Sequence, residues 1–427
     1  GTDFRHDATQ TDLNPDLVID ATTATTVQEA LTALKTSITS YRVTVVGDGY
    51  DTWVNSLTSP SSPYDGYVPY FSDYLNDILN NSANPLYFQI RLGGIVIIKA
   101  GTYKFNSTVN VPAGIIIQGE GYGTKIVNQM STPTPLFRIK ADSTRTADKS
   151  IENTNPFVFS KWTGLENITI CDNFPEPKYL GDTDYKLPIN ITEANPLVIQ
   201  EPGSYLFCNK VTFLGRVQYA SPSTLTAVTS MPIGVDGTLP VSTGTILSVD
   251  NCFIDGFSQA IKFVTTTSGT VTTASQDYLF VTNNKVRVYG HLNGSAIVND
   301  YPNNIFFRFN ACNADISHNY IYGNDVGYAQ GLVYIPLFQT SGLTASGFPR
   351  VKITNNFGGI NKSGPFVSNE LVHYLGTIAN LYFDISQNSI NTTTIEFADS
   401  NTLNHSINKI RLTSDTSTDG DYGVRVA

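Results

Sequence analysis

The chain has 427 residues with 41% hydrophobic and only 15% charged residues, and its net charge is −10 at pH 7. This acidic balance argues against a protein that binds the phosphate backbone of nucleic acids, and no stretch is apolar for long enough to predict membrane insertion. The chain exceeds the usual size of one globular core, but a solenoid escapes that limit because its core grows along one axis.

Residues 1–40 are predicted to form an N-terminal linker with one short helix. Between Val27 and Leu34 the apolar residues follow the i, i+3, i+4, i+7 spacing of an amphipathic helix, and a preceding Thr can cap it. A helix this short is only marginally stable in isolation. It either packs over the end of the next domain or pairs with copies of itself as the neck of a trimer.

Residues 41–130 are predicted to form an N-terminal cap and the first coils of a solenoid. The patterns favour a strand at Tyr41–Val46 and a helix at Phe71–Leu79. Short β-branched runs follow, separated by Gly, Pro or Asn turns, and they fit buried parallel strands that stack on similar neighbours. These runs are Ile95–Ile98, Thr108–Val111, Ile115–Ile117 and Lys125–Val127.

Two glycine-bounded segments, GGIVIIKAGTY and IIIQGEG, occur in this order between Gly93 and Gly121. They resemble the opening coil of the pectate-lyase-like superfamily of right-handed parallel β-helices, which includes phage tailspike and tail-appendage proteins. The resemblance implies an all-β fold, a right-handed parallel β-helix (solenoid) with short N-terminal helical segments, one of which plugs the N-terminal end. The predicted helix before Leu34 also resembles helical linkers of phage tail fibres, which favours the trimer neck.

Residues 131–427 are predicted to form the body of the β-helix, because one pattern recurs along them with variable insertions. An apolar residue is followed two positions later by an Asn-containing pair and then by further apolar residues, as in Val281-Thr-Asn283-Asn284-Lys-Val286. Asn tolerates the left-handed backbone of a tight turn, and its amide can bond the same amide one coil away. The resemblance implies such an asparagine ladder, and we expect it to align Asn209, Asn284, Asn319, Asn356 and Asn388.

A second series of strands is predicted before the Asn turns, and its outward residues should form one row along the solenoid. The predicted strands are Ala260–Phe263, Ala296–Val298, Leu332–Ile335, Leu371–Tyr374 and Thr394–Phe397. Alternation places Lys262, Val298, Tyr334, His373 and Glu396 outward.

This row provides the candidate catalytic groups. Glycoside hydrolysis needs two carboxylates about 5–10 Å apart, and Glu370 with Glu396 is the first candidate pair. Elimination from a uronate needs a base beside a neutralised carboxyl group, and His373 between Tyr334 and Glu396 could act as that base. Further carboxylate candidates are Asp300, Asp315, Asp325 and Asp399.

Substrate binding is assigned to Tyr334, Lys262, Tyr322 and Asp325, because aromatic rings stack on sugars while charged groups bond hydroxyls. No metal-binding motif is present, and no cofactor is expected. Cys171, Cys208, Cys252 and Cys312 have no paired spacing, so buried free thiols are predicted.

The resemblance implies an extracellular virion tail protein, a homotrimer that contacts other virion tail proteins and binds a polysaccharide on the host surface. The N-terminus lacks an apolar signal core, which fits a virion component released by lysis. Three functions stay open: a depolymerase acting as glycoside hydrolase or polysaccharide lyase, a non-catalytic glycan-binding adhesin, and a structural virion fibre. Fold alone cannot choose among them.

Overall fold

The chain winds repeatedly through three parallel sheets, which makes the protein a parallel β-helix, as the repeats predicted. This computed structural model describes residues 18–19, 22–23, 43–46, 71–90, 93–128, 130, 134–141, 162–172, 196–215, 217–221, 224–228, 231–236, 244–257, 259–263, 277–289, 307–309, 312–324, 333–336, 350–361, 370–375, 382–390, 394–398, 406–412 and 423–426. The helix expected near Leu34 and the segment Ala296–Val298 lie outside these residues.

In each full coil the chain passes through sheet 1, then sheet 2, then sheet 3. Sheet 1 contains Val43–Val46, Gly94–Ile98, Ile115–Gly119, Trp162–Glu166, Tyr205–Asn209, Ile246–Asp250, Tyr278–Thr282, Asn313–Ser317, Arg350–Thr354, Tyr382–Ile390 and Ser406–Leu412. Sheet 2 contains Gly101–Phe105, Thr124–Asn128, Thr169–Cys171, Thr212–Leu214, Phe253–Phe257, Lys285–Tyr289, Tyr320–Asn324 and Phe357–Asn361, and the end of Tyr382–Ile390 pairs with its last strand.

Most strands of sheet 3 are shorter than those of the other two sheets. It contains Val109–Val111, Phe137–Ile139, Val198–Gln200, Ile233–Val235, Ile261–Phe263, Phe307–Phe309, Val333–Pro336, Glu370–Leu375, Thr394–Ala398 and Gly423–Val426. Two antiparallel pairs lie outside the sheets: Val18–Ile19 with Thr22–Thr23, and Val217–Ser221 with Thr224–Val228.

Inward side chains stack into columns of aliphatic residues along the axis. In sheet 1 the register aligns Leu165, Cys208, Val249, Val281 and Ile316, all of which are buried. The strand Ile115–Gly119 alternates buried and half-buried positions, as a strand with one face in the core does. These columns fix the register, because a one-residue slip would turn the apolar side chains outward.

The bend between sheets 1 and 2 uses two successive residues with different tasks. The first adopts a left-handed backbone, with φ between 50° and 59°, at Asn167, Lys210, Asn251, Asn283, His318, Asn355 and Gln387. Asn is frequent there because its short polar side chain tolerates this conformation better than most residues do. The second residue points inward and forms the ladder.

The asparagine ladder consists of Asn284, Asn319, Asn356 and Asn388, all buried. In the first three, Nδ2 donates to the next Oδ1 at 2.9–3.0 Å and also to a backbone carbonyl of the preceding coil. Asn388 Nδ2 donates to the Ile353 carbonyl at 2.8 Å. The prediction is confirmed for these four residues and wrong for Asn209. Asn209 ends a strand of sheet 1, opposite Asp250, and Val211 occupies the ladder position of its coil.

Cys252 continues the ladder with a thiol in place of an amide. Its Sγ lies 3.4 Å from the Cys208 carbonyl oxygen, in the position of the bond from Asn284 Nδ2 to the Val249 oxygen. Its backbone N–H donates to Asn284 Oδ1 at 2.8 Å. All four cysteines are free and buried, as predicted.

Helix α1 (Phe71–Asn80) covers the first coil, and the short helix α2 (Pro85–Ile90) follows it. The apolar face of α1 is buried in the core. Its Asn76 donates to the Thr108 carbonyl at 2.9 Å and accepts from the Asn110 N–H at 3.1 Å. The helix therefore satisfies backbone groups at the edge strand of sheet 3, which would otherwise be open to pairing with another chain.

The sequence patterns predicted the type of the N-terminal elements correctly, but the first and last residues of these elements differ from the prediction. The strand expected at Tyr41–Val46 is present as Val43–Val46, and the helix expected at Phe71–Leu79 is α1. The strand Gly101–Phe105 and helix α2 were not predicted. Neither α1 nor α2, the helices in the described ranges, is long and apolar enough to cross a membrane.

Candidate functional site

The outer face of sheet 3 carries one continuous row of residues, one from each coil. The register aligns Asn110, Arg138, Ile199, Gly234, Lys262, Arg308, Tyr334, His373, Glu396 and Arg425. We call the part from Lys262 to Arg425 the sheet 3 row. Four residues that the sequence assigned to one row therefore do lie in one row: Lys262, Tyr334, His373 and Glu396. Their roles in binding and catalysis stay predictions.

Local alternation explains why Lys262 faces outward. Ile261 and Phe263 are fully buried, while Lys262 between them is half-buried. The same apolar–polar–apolar pattern places Arg308 after the buried Phe307. Strands in neighbouring coils lie about 4.8 Å apart, so the row from Lys262 to Arg425 extends about 24 Å.

Arg308 is a residue that the sequence analysis missed. Its coil was expected to use Ala296–Val298, with Val298 in the row, but Phe307–Phe309 pairs with Ile261–Phe263. The signal was present, since Phe-Arg-Phe repeats the alternation of Ile-Lys-Phe. The row therefore contains the cation Arg308 at the position where the apolar Val298 was expected.

Glu370 does not stand opposite Glu396. The register pairs Glu370 with Thr394, followed by an irregularity before Val372, while Glu396 pairs with His373. Glu370 and Glu396 therefore lie on neighbouring coils but two residues out of step, with their Cα atoms about 8 Å apart from strand spacing and rise. The role of Glu370 and Glu396 as a catalytic pair therefore stays a prediction.

Tyr322 lies on a different face from the row. It is half-buried on the outside of sheet 2, where the register pairs it with Arg287 and Gly359. Asp315 lies on sheet 1, and its Oδ2 is 3.0 Å from Lys352 Nζ. Asp300, Asp325 and Asp399 are outside the described residues. The residues predicted as one site thus divide between faces.

A polar network at the N-terminal part of the same face was also missed. Arg138 Nη1 lies 2.5 Å from Asp236 Oδ2 and 3.8 Å from Glu201 Oε1, and Lys140 Nζ lies 2.6 Å from the same Glu201 oxygen. The Asp236 side chain is only 6% exposed. No local motif could reveal this network, because its members come from coils separated by long insertions.

The contacts of this network are those of ion pairs that join neighbouring coils, and not those of a catalytic pair of acids. Glu201 and Asp236 lie at matching positions of neighbouring coils, since Glu201 N–H bonds Ile139 and Asp236 N–H bonds Gln200. The other Glu201 oxygen, Oε2, accepts from the Ala141 N–H at 3.2 Å. Carboxylates bonded in this way hold coils together and leave few lone pairs for substrate.

Among the residues that the structure describes, no cluster of three or more His, Cys, Asp and Glu could hold a metal ion. The sequence matches no protein-family model and no curated protein. A solved structure described as "Geobacillus virus E2 - ORF18" is similar to this chain with 14% identity and a TM-score of 0.35. The similarity covers 87% of this chain and 64% of that protein, so the chain spans less than two thirds of its length.

Proposed function

We propose that this protein is a phage tailspike or receptor-binding protein that binds a polysaccharide on the surface of its host. The observation that carries the proposal is the sheet 3 row, in which Lys262, Arg308 and Arg425 stand in register with Tyr334 and His373. The resemblance of the first coil to tailspike proteins supports the phage assignment. The homotrimer, contacts with other virion tail proteins and a position in the virion tail belong to the same proposal.

The row matches the needs of an extended sugar chain. A length of about 24 Å accommodates several sugar rings aligned with the solenoid axis. Tyr334 would supply a ring for the C–H face of a sugar, and the cations would bond hydroxyl or carboxylate oxygens. Because the chain has a net charge of −10, this local group of cations is what makes an acidic polysaccharide an acceptable ligand.

A depolymerase activity is the second candidate, and the pairing of His373 with both Tyr334 and Glu396 favours it. In an elimination, His373 would take the proton α to the uronate carboxyl group, the bond from the β carbon to the glycosidic oxygen would break, and the leaving oxygen would be protonated. Arg308 or Arg425 would neutralise the carboxylate, which acidifies that proton. In a hydrolysis, one of Glu370 and Glu396 would protonate the glycosidic oxygen as general acid, and the other would act as carboxylate, either on water as general base or on the sugar as nucleophile.

The binding proposal is tested by electrophoresis in native gels that contain polygalacturonate, alginate or hyaluronan. We expect retardation of the wild type by at least one of them, and about tenfold weaker binding for Lys262→Ala and Arg308→Ala. Lys352→Ala on sheet 1 is the matched control, because it removes an exposed cation from another face. No retardation, or equal losses for all three variants, would refute the assignment.

Catalysis and assembly are tested separately on the same protein. Ultraviolet absorbance of an unsaturated uronate reports elimination, and release of reducing ends without it reports hydrolysis. Loss of product with His373→Ala supports elimination, whereas loss with Glu370→Gln or Glu396→Gln supports hydrolysis. Binding without product indicates an adhesin, and neither binding nor product indicates a structural fibre. A monomer mass at micromolar concentration would remove the trimer.

A further inference from the structure

Sheet 2 carries a row of large aromatic side chains that face solvent. Phe253, Lys285, Tyr320 and Phe357 follow one another in register on successive coils. Phe253 is 38%, Tyr320 41% and Phe357 51% exposed. The rings of Tyr320 and Phe357 are 5.1 Å apart between centroids. Single exposed aromatics are ordinary, but a line of them on one face indicates a binding surface.

Polar side chains border this row on both sides. On one side are the left-handed turn residues two positions earlier in the chain, of which Asn251, Asn283 and His318 are exposed. On the other side Arg287 forms an ion pair with Asp255. The face therefore offers two rings on neighbouring coils, Tyr320 and Phe357, and a third ring, Phe253, two coils away from Tyr320. Hydrogen-bonding groups lie at both edges.

This mixture fits a sugar chain better than another protein. The centre of a protein interface is depleted of charged residues, yet Lys285 stands in the middle of the row and is exposed. A sugar chain presents apolar C–H faces to rings and hydroxyl groups to amides and cations at the same time.

We propose that the outer face of sheet 2 is a second polysaccharide-binding surface, which takes a neutral sugar chain running along the solenoid axis. Phe253, Tyr320 and Phe357 supply the stacking platform, and the turn amides with Lys285 bond the hydroxyls. This surface shares no residue with the sheet 3 row. Neither proposal depends on the other, since one uses ring stacking and the other uses charge.

The test is native electrophoresis in gels that contain dextran, galactomannan or mixed-linkage β-glucan. We expect at least one of them to retard the wild type, with an affinity that changes little with added salt. Binding should weaken about threefold to tenfold for Tyr320→Ala and for Phe357→Ala, while Tyr320→Phe should retain it. Anionic polysaccharide on the sheet 3 row should instead be released by salt.

Tyr278→Ala is the matched control, because Tyr278 is 39% exposed on sheet 1 and stacks on Phe280. An equal loss with Tyr278→Ala would place neutral-sugar binding elsewhere and overturn the inference. Failure of all three neutral polysaccharides to retard the protein would also overturn it, without affecting the sheet 3 proposal. A lower oligomer mass for the Tyr320→Ala variant would show that a second copy, and not a sugar, occupies this face.

Discussion

Replacing Asn319 by Ala tests how the ladder holds successive coils together. Asn319 is fully buried and makes four side-chain hydrogen bonds. Its Nδ2 donates to Asn356 Oδ1 at 2.9 Å and to the Val281 oxygen at 2.8 Å. Its Oδ1 accepts from the backbone N–H and from Nδ2 of Asn284, both at 3.0 Å.

The magnitude follows from these four bonds. Each is worth about 1 kcal/mol net, and the buried N–H of Asn284 would lose its acceptor. We therefore expect Asn319→Ala to lower the free energy of unfolding by about 3–4 kcal/mol. His318→Gly on the preceding residue is the control, because glycine relieves the left-handed backbone at φ 59° and His318 is exposed. It should be neutral or stabilising.

Amide hydrogen exchange provides the local readout. In Asn319→Ala the backbone N–H of Asn284 should exchange about 100-fold faster, because its acceptor has been removed. The N–H groups of Asn319 and Asn356 should stay protected, since they donate to the retained side chains of Asn356 and Asn388. The idea that each ladder Asn protects the coil before it would be refuted if the N–H groups of Asn284, Asn319 and Asn356 lost protection equally. It would also be refuted if none of them lost protection.

Three further predictions follow from burial, backbone geometry and register. Burial raises the pKa of the Cys252 thiol to about 12, so Ellman's reagent should not titrate this thiol in native protein at pH 8. Because the thiol ionises more readily in the unfolded chain, its ionisation should lower the free energy of unfolding only as the pH rises above about 9. Gly358→Ala should cost about 3 kcal/mol or more in thermal or denaturant unfolding, because φ is +138° and a Cβ would collide with the Ile321 oxygen. Arg308→Gln should weaken retention by anionic polysaccharide about tenfold, because it removes one cation of the sheet 3 row; unchanged retention would contradict this.

The ladder was predictable because its chemistry is local. Two residues at the end of each sheet 1 strand must turn the chain sharply, and only a few residue types tolerate the first of these positions. Asn at the second position repeats at Asn284, Asn319, Asn356 and Asn388 in constant register with apolar neighbours. Asn209 was wrongly assigned to the ladder, because a single amide before a Lys does not reveal that the turn begins one residue later, at Lys210.

Sheet 3 was harder to predict, because the insertions before its strands vary in length. Phe307–Phe309 and Ala296–Val298 are both short apolar segments, and only pairing with Ile261–Phe263 distinguishes them. The Arg138–Asp236 contact joins residues 98 positions apart in the sequence. A contact between residues so far apart cannot be predicted from a fixed repeat length, because the loops differ in length from coil to coil.

Sheets 1 and 3 arrange the charges of their outer rows differently. On sheet 1 the register places Asp315, Lys352, Asp384 and Lys409 in successive coils, so each charge faces the opposite sign. Sheet 3 instead pairs Lys262 in register with Arg308, so two residues of the same charge follow one another there. The inward columns hold both rows in equally strict register, so sheet 3 could also have alternated in charge. An anionic chain bound along sheet 3 would be attracted by both cations, which is the physical reason to test anionic polysaccharides as ligands of the proposed site.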